Sequence, residues 1–301
     1  MTGTALLALM AAGSALGAHL LTRARWTWRT PRTAIVLWQA LGLAWGLASI
    51  GTLLGFGVAP YGDGIIAGIG RSLRDPQPLS SIHLAALAAG LTLALMLLGV
   101  LMVAIAGVVR ARRRHRALLA LVAHGDPDVP GTLVLDHPVA AAYCVPGVRS
   151  QVVVSAGTLE LLGPYELAAV LAHERAHARE RHDLVLLPFT SLRRMLPQSR
   201  TVARTLDAVE LLIEIQADDR ARRDRPAKEL ATALLRFASA GSAPTPRGTL
   251  GVIGADETNP ILVRVRRLLA PAPLARPMRG AMLVGAALVA TLPLILYAVP
   301  A

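Results

Sequence analysis

Apolar residues are concentrated in four long runs, and the rest of the chain is mixed. The runs contain no acidic or basic residue apart from His19, and they cover about 4–22, 34–57, 84–109 and 281–299. A helix needs about 20 apolar residues to cross a bilayer core of about 30 Å. Hydrophobic residues also make up 54% of the chain and charged residues only 17%. The pattern therefore predicts a mainly α-helical integral membrane protein with four transmembrane helices.

The chain between the third and fourth runs has the pattern of a folded α+β domain. Its shorter periodic segments predict three strands and three helices. The strands are 132–137, 141–145 and 151–157, and the helices are 183–204, 205–223 and 261–270. We therefore divide the chain into an N-terminal membrane region (1–109), an inserted domain (110–279) and a fourth span (280–301).

Other features of the inserted domain concern its boundaries. Residues 110–124 continue the third apolar run as a basic helix, which Gly125 and Pro127 should end. Gly163 and Pro164 predict the start of another helix, because proline is favoured at the first helical position. The Gly-, Ser- and Pro-rich residues 239–260 are typical of a flexible loop.

The distribution of charge predicts the orientation in the membrane. Residues 23–33 carry four arginines, residues 58–83 have no net charge, and residues 110–279 carry 25 basic against 17 acidic residues. Basic loops remain in the cytoplasm. We therefore expect a multi-pass protein of a bacterial-type plasma membrane, with the inserted domain cytosolic and both termini outside.

The overall charge of +12 does not by itself indicate nucleic-acid binding. The basic residues flank the spans, as in RARRRHR (110–116), where anionic lipid headgroups account for them. We expect the lipid bilayer as a partner and no direct contact with nucleic acid. The single cysteine, Cys144, suits a reducing cytosol and is interpreted as a buried apolar residue.

The string His-Glu-Arg-Ala-His at residues 173–177 carries the candidate chemistry. On a helix, His173 and His177 project from one face and can bind a single Zn²⁺ ion, while Glu174 can act as the general base of a hydrolase. The competing interpretation is a polar stripe on a solvated helix that spells the motif by chance.

A zinc hydrolase needs a third protein ligand. The acidic residues and histidine downstream that could supply it are Glu180, His182, Asp183, Glu210, Glu214, Asp218 and Asp219. We favour Glu214, because a carboxylate among Leu211–Ile215 is costly unless it is paired or binds metal. Asp218, one helical turn later, could orient a ligand histidine. An ion pair with an arginine is the alternative for each. Arg220, His182 and Arg181 stay open as donors to the oxyanion.

With HExxH on one helix and Glu-x-x-Ala-Asp (214–218) on the next, the chain resembles the gluzincin membrane peptidases. Residues 140–177 are similar to the BlaR/MecR antirepressor group, which is related to the HtpX/CAAX endopeptidases. Members often carry Asp five residues after the second histidine, whereas this chain has His182 there and Asp183 next. In thermolysin-like enzymes the strand before the motif helix offers its edge to an extended substrate. By resemblance that edge is 151–157, and an ordinary core strand is the alternative.

The resemblance implies a zinc-dependent endopeptidase that acts on a cytosolic protein, possibly a winged-helix repressor, in a signal-responsive pathway. The sequence ends at Ala301, without the penicillin-binding sensor domain of BlaR/MecR proteins. We therefore expect a signal to enter through residues 58–83, the spans or a partner, and an oligomer is possible. Two alternatives are an HtpX-like quality-control protease and a non-catalytic, metal-stabilised sensor or scaffold.

Overall fold

The computed structural model describes residues 2–62, 64–125, 131–145, 150–241, 259–270 and 276–298. Within them short 3₁₀ turns occur at Arg25–Arg29 and Ala59–Tyr61. The helices are α1 (Thr2–Leu21), α2 (Pro31–Gly57), α3 (Gly64–Arg74), α4 (Ser81–Val122), α5 (Ala156–Leu161), α6 (Pro164–Glu180), α7 (His182–Met195), α8 (Arg200–Ala221), α9 (Ala227–Ser239), α10 (Pro260–Leu269) and α11 (Arg276–Leu296). The strands are β1 (Ala123–Gly125), β2 (Thr132–Leu135), β3 (Ala142–Val145) and β4 (Gln151–Ser155).

The chain divides into two compact units. The first consists of Met1–Val103, Arg193–Thr205 and Leu274–Ala301, and the second of Ala104–Leu192 and Leu206–Pro273. Helix α4 contributes to both units without an interruption.

The first unit contains the apolar helices. Four helices in the described part of the chain are long and apolar enough to cross a membrane, and each corresponds to one of the four predicted runs. Leu7, Ala48, Ile65 and Leu296 form a buried cluster that joins α1, α2, α3 and α11. The Tyr297 hydroxyl donates a hydrogen bond of 2.7 Å to the carbonyl of Leu47.

The second unit contains a four-stranded sheet of order β1-β2-β4-β3. Strands β2 and β4 are parallel, and the outer pairs β1–β2 and β4–β3 are antiparallel. The side chains of Val152, Val153 and Val154 on β4 are buried because both faces of the strand are covered. Val152 and Val154 pack in the core with α6, α9 and α10, and Val153 packs with Leu119 of α4 and Val145 of β3. The apolar core of the unit lies between β2, β4 and helices α6, α9 and α10.

The prediction that residues 151–157 form the sheet edge is wrong. Strand β4 lies inside the sheet and ends at Ser155, and Ala156 begins α5. Among the described strands the edge positions belong to β1, which the sequence did not predict, and to β3.

The predicted helices of the inserted domain are present with shifted ends. Helix α6 begins at Pro164 as expected. The predicted segment 183–204 is divided between α7 and the start of α8, and α10 covers the predicted 261–270 segment. The predicted loop 239–260 falls mostly outside the described residues. Helices α3, α5 and α9 have no counterpart among the predicted helices.

Candidate metal centre

Helix α6 positions the HExxH motif. The backbone N–H of Gly163 donates to the Glu166 carboxylate at 2.9 Å, which caps the start of the helix. Arg236 of α9 pairs with the same carboxylate at 2.8 Å. The buried side chains of Ala169, Val170, Leu171 and Ala176 fix the helix against the core. His173 and His177 then project from one face, one turn apart.

The structure brings His173, His177 and Glu214 together as a group that can hold a metal ion. One candidate ligand atom from each residue lies within 4.8 Å of those of the other two. The two Nε2 atoms are 3.1 Å apart, and the Glu214 carboxylate lies 3.3 Å from Nε2 of His173 and 3.5 Å from Nε2 of His177. These are the three ligands predicted from the sequence. Helix α6 carries the two histidines, and α8 places Glu214 opposite them.

Glu174 lies beside this cluster and contacts the edge strand β3. Its carboxylate accepts a hydrogen bond from the backbone N–H of Cys144. Burial and, to a smaller extent, the negative charge of Glu214 raise the pKa of Glu174 to about 7, against the lowering effects of His173 and Arg264. A carboxyl group with this pKa can take up and release a proton near neutral pH.

Asp218 lies behind His173, as predicted for an orienting carboxylate. Its Oδ1 atom is 2.9 Å from Nδ1 of His173, and its side chain is 2% exposed. Arg264 of α10 binds the same carboxylate with two hydrogen bonds, of 2.9 Å from Nε and 2.8 Å from the second nitrogen. This guanidinium group holds the pKa of Asp218 at about 2 despite burial, so the carboxylate stays ionised.

Arg264 also reaches the third candidate ligand. One guanidinium nitrogen lies 2.9 Å from Oε2 of Glu214, and another lies 3.5 Å from Nε2 of His173. Burial acts to raise the pKa of Glu214, but the charge of Arg264 and the contact with His173 hold it well below its usual value. Sequence reasoning missed Arg264, because nothing in the amphipathic pattern of 261–270 distinguishes it from Arg266 and Arg267.

A second ion pair joins the same two helices. Arg267 of α10 binds the Asp219 carboxylate at 2.5 and 2.8 Å, one helical turn from the Arg264–Asp218 pair. Asp218 and Asp219, which are adjacent on α8, thus pair with Arg264 and Arg267, which are three residues apart on α10. This pairing fixes the rotation of α10 and directs Arg264 toward the metal ligands.

The structure places His182 behind His177. Their Nδ1 atoms are 2.9 Å apart, the His182 side chain is buried, and the ring planes are nearly perpendicular at 83°. Arg181, between α6 and α7, has a left-handed backbone with φ of 52°, and this sharp turn returns the chain onto His177. The geometry therefore gives His182 a supporting position behind a ligand, which does not favour the oxyanion role that the sequence left open for it.

The position of Arg220 on α8 also does not favour an oxyanion role. It follows Glu214 by six residues, which rotates its side chain by about 120° from the face that carries Glu214. Asp183, the acid that follows His182, pairs with Arg112 of α4. It therefore does not take the place beside His177 that His182 occupies.

The two histidines of the motif have opposite electrostatic environments. Burial lowers the pKa of His177 to about 4, so this ring is neutral and can donate a lone pair. Burial also acts to lower the pKa of His173, but the carboxylates of Asp218 and Glu214 raise it to about 10.

Two imidazoles and one carboxylate are the donor set of a catalytic zinc site that keeps one position open for substrate or water. The cluster meets this requirement, since one face carries the three ligand atoms and the other carries orienting groups. The residues present therefore fit zinc.

Comparison with known proteins gives one match. The family model described as peptidase family M48 matches residues 87–239, just over half of the 301 residues. This range contains His173, Glu174, His177 and Glu214. No curated protein and no solved structure matches the chain significantly.

Proposed function

Because the chain belongs to peptidase family M48, we propose that it is a membrane-anchored zinc endopeptidase whose site is formed by His173, His177, Glu214 and Glu174. Peptidases of this family are zinc-dependent metallopeptidases. The observation that carries the proposal is the approach of three ligand atoms to within 4.8 Å, with Glu174 next to them on α6.

Different residues of the site would bind the metal and transfer the proton. Zinc, held by His173, His177 and Glu214, would supply Lewis-acid chemistry, acidifying water and polarising a peptide carbonyl. Glu174 accepts the proton of the attacking water and passes it to the nitrogen of the leaving amine. The raised pKa of Glu174 suits both steps, because the group must release the proton that it accepts.

The surrounding charges keep the ligands in the required state. Oδ1 of Asp218 lies 2.9 Å from Nδ1 of His173 and favours a proton there, so Nε2 is the nitrogen that would lose its proton and bind zinc. Arg264 holds one oxygen of Glu214 and both oxygens of Asp218, which fixes two carboxylates with one guanidinium group.

Strand β3 is the proposed docking edge for the substrate backbone. It is an edge strand in the described sheet, and the Cys144 N–H contacts Glu174 directly. An extended peptide that pairs with this edge would place its carbonyl groups next to the general base. This assignment replaces the predicted edge at 151–157.

The proposed setting is a plasma membrane, with the second unit in the cytosol and both termini outside. The four apolar helices and the arginines around them support it. The proposed substrate is a cytosolic protein, and the resemblance to BlaR/MecR proteins favours a winged-helix repressor cleaved in response to a signal.

Quality control of damaged membrane proteins is the second candidate. Recognition at β3 would use mainly backbone groups, and this favours broad cleavage. The two candidates differ in substrate range: a regulatory enzyme would cut one repressor at one site, and a quality-control enzyme would cut many unfolded chains.

The test compares the purified, zinc-loaded protein with its Glu174→Gln variant in detergent. The substrates are fluorescein-labelled casein and a winged-helix protein encoded next to this chain. We expect cleavage to fall by about 10²- to 10⁴-fold in Glu174→Gln, with the zinc content unchanged by mass spectrometry. Glu160→Gln, an exposed acid on α5, is the matched control and should cleave normally. Equal activity of Glu174→Gln and the unchanged protein, or no cleavage by either, would leave the scaffold interpretation instead.

A further inference from the structure

Helix α3, which lies between the candidate spans α2 and α4, exposes large apolar side chains. Ile66, Ile69 and Leu73 are 65%, 37% and 80% exposed. At 100° per residue these three side chains lie within about 60° of one another on the helix surface. They form a continuous stripe, which we call the α3 stripe.

The remaining faces of α3 have different partners. Ile65 and Gly68 are buried on the side next to the stripe. Arg74 projects from the side opposite Ile65, and Arg71 lies between Arg74 and the buried side, where it donates to the Tyr61 carbonyl at 3.3 Å. The helix therefore has one face toward the protein, one apolar face without protein cover in the described residues, and one cationic face.

Contacts within the first unit fix α3 at the ends of two candidate spans. A Cβ atom on Gly68 would lie 2.9 Å from the Val58 side chain, directly after α2. The backbone N–H groups of Ile65 and Ile66 donate to the carbonyl of Tyr297, directly after α11, at 3.2 and 3.4 Å. These contacts hold α3 directly against the ends of α2 and α11.

The link to the next span is also short. Six residues, 75–80, separate α3 from α4 and reach at most about 20 Å when fully extended. A helix tied in this way to three candidate spans lies at the boundary between the bilayer core and the headgroups.

We propose that α3 is an interfacial helix that lies in the plane of the membrane surface. The α3 stripe enters the acyl-chain boundary, and Arg71 and Arg74 remain at the level of the lipid headgroups. A short helix with one apolar and one cationic face is the form that binds this region of a bilayer. The occupant of the stripe is lipid, because the stripe adjoins helices whose exposed surfaces are also apolar. The proposal rests on the membrane insertion proposed above and is independent of the zinc site.

The test measures the contact between lipid and single positions of the full chain. In a Cys144→Ala background, an environment-sensitive fluorophore is attached through Ile66→Cys, Ile69→Cys or Leu73→Cys. Ala67→Cys, exposed on the cationic side of α3, is the matched control, and Leu95→Cys, 60% exposed on α4, reports on insertion itself. The proteins are reconstituted in phosphatidylcholine–phosphatidylglycerol vesicles that contain nitroxide-labelled lipid.

We expect nitroxide lipid to quench the three stripe labels several-fold more strongly than the Ala67→Cys label. Stripe labels quenched by aqueous iodide as strongly as the control would overturn the proposal. Stripe labels protected from both quenchers would also overturn it, since they would be covered by protein, such as a second copy. If the Leu95→Cys label also fails to contact lipid, the membrane insertion itself is wrong.

Discussion

The Nδ1 atom of His182 lies 2.9 Å from the Nδ1 atom of His177, so the candidate zinc ligand is supported by a second imidazole. Burial lowers the pKa of both rings, to about 4 for His177 and about 3 for His182. In a neutral pair one ring donates and the other accepts. Because Nε2 of His177 faces the other ligands, its Nδ1 must carry the proton and His182 must accept it.

We therefore expect His182→Phe to weaken zinc binding by about 10- to 100-fold, because His177 loses the acceptor that orients it. His182→Asp should retain most of the affinity, since a carboxylate oxygen can also accept from Nδ1. Competition with a fluorescent chelator measures both. Unchanged affinity in His182→Phe would show that the imidazole contact does not position the ligand.

Zinc binding should release protons because of Asp218. The pKa of His173, raised to about 10 by the two carboxylates, keeps this ring protonated at neutral pH before zinc binds. Zinc needs the Nε2 lone pair, so we expect release of about one proton from His173 for each zinc ion bound.

Calorimetry in two buffers of different ionisation enthalpy measures this release. In Asp218→Asn the pKa of His173 should fall, which decreases proton release, and zinc affinity should fall by about 10- to 100-fold. Equal proton release by the variant and the unchanged protein would contradict the assigned role of Asp218.

The rate of peptide hydrolysis should depend on pH through Glu174. Its pKa, raised to about 7 by burial, means that the carboxylate is protonated and inactive as a base in more acidic solution. We expect kcat/KM to rise with pH and to level off at about pH 7 or slightly below, because a zinc ion nearby favours the ionised form. Glu160→Gln should keep the same profile. A rate that falls between about pH 6 and 7 would argue against Glu174 as the base.

Removal of Arg264 should destabilise the second unit. Arg264→Met leaves Asp218 buried and without its guanidinium partner, and breaking a buried pair in this way costs about 3 to 5 kcal/mol. The exposed Arg266 on the same helix is the control, and Arg266→Met should leave the thermal midpoint almost unchanged.

Thermal unfolding followed by circular dichroism in detergent compares these variants. Adding Asp218→Asn to Arg264→Met should recover part of the lost stability, because the unpaired buried charge is then absent. A midpoint for Arg264→Met equal to that for Arg266→Met would contradict the importance of the Arg264–Asp218 pair.

The sequence predicts those features that depend on local pattern. The four apolar runs, the start of α6 at Pro164 and the choice of Glu214 on the next helix all follow from spacing and burial within one segment. The position of Arg264 depends on the packing of α10 against α8, across 46 residues of chain, and no local pattern encodes it.

The order of the strands shows the same limit. Gln151–Ser155 contains three consecutive valines, and such an unbroken apolar run is typical of a strand that is covered on both faces. That pattern would have favoured an interior strand over an edge. The short strand β1 (Ala-His-Gly) has no strand-like composition, and it forms because β2 offers it a partner.

Helix α4 has a thermodynamic consequence, since both compact units share its 42 uninterrupted residues. Starting a helix is costly, whereas extending or shortening an existing one by a residue is inexpensive. Order in the membrane-spanning part of α4 therefore lowers the cost of order in its continuation, where Leu119 packs against Val145 and Val153. With the proposed membrane insertion, the lipid bilayer would hold one part of this helix folded and would lower the conformational cost of folding the second unit.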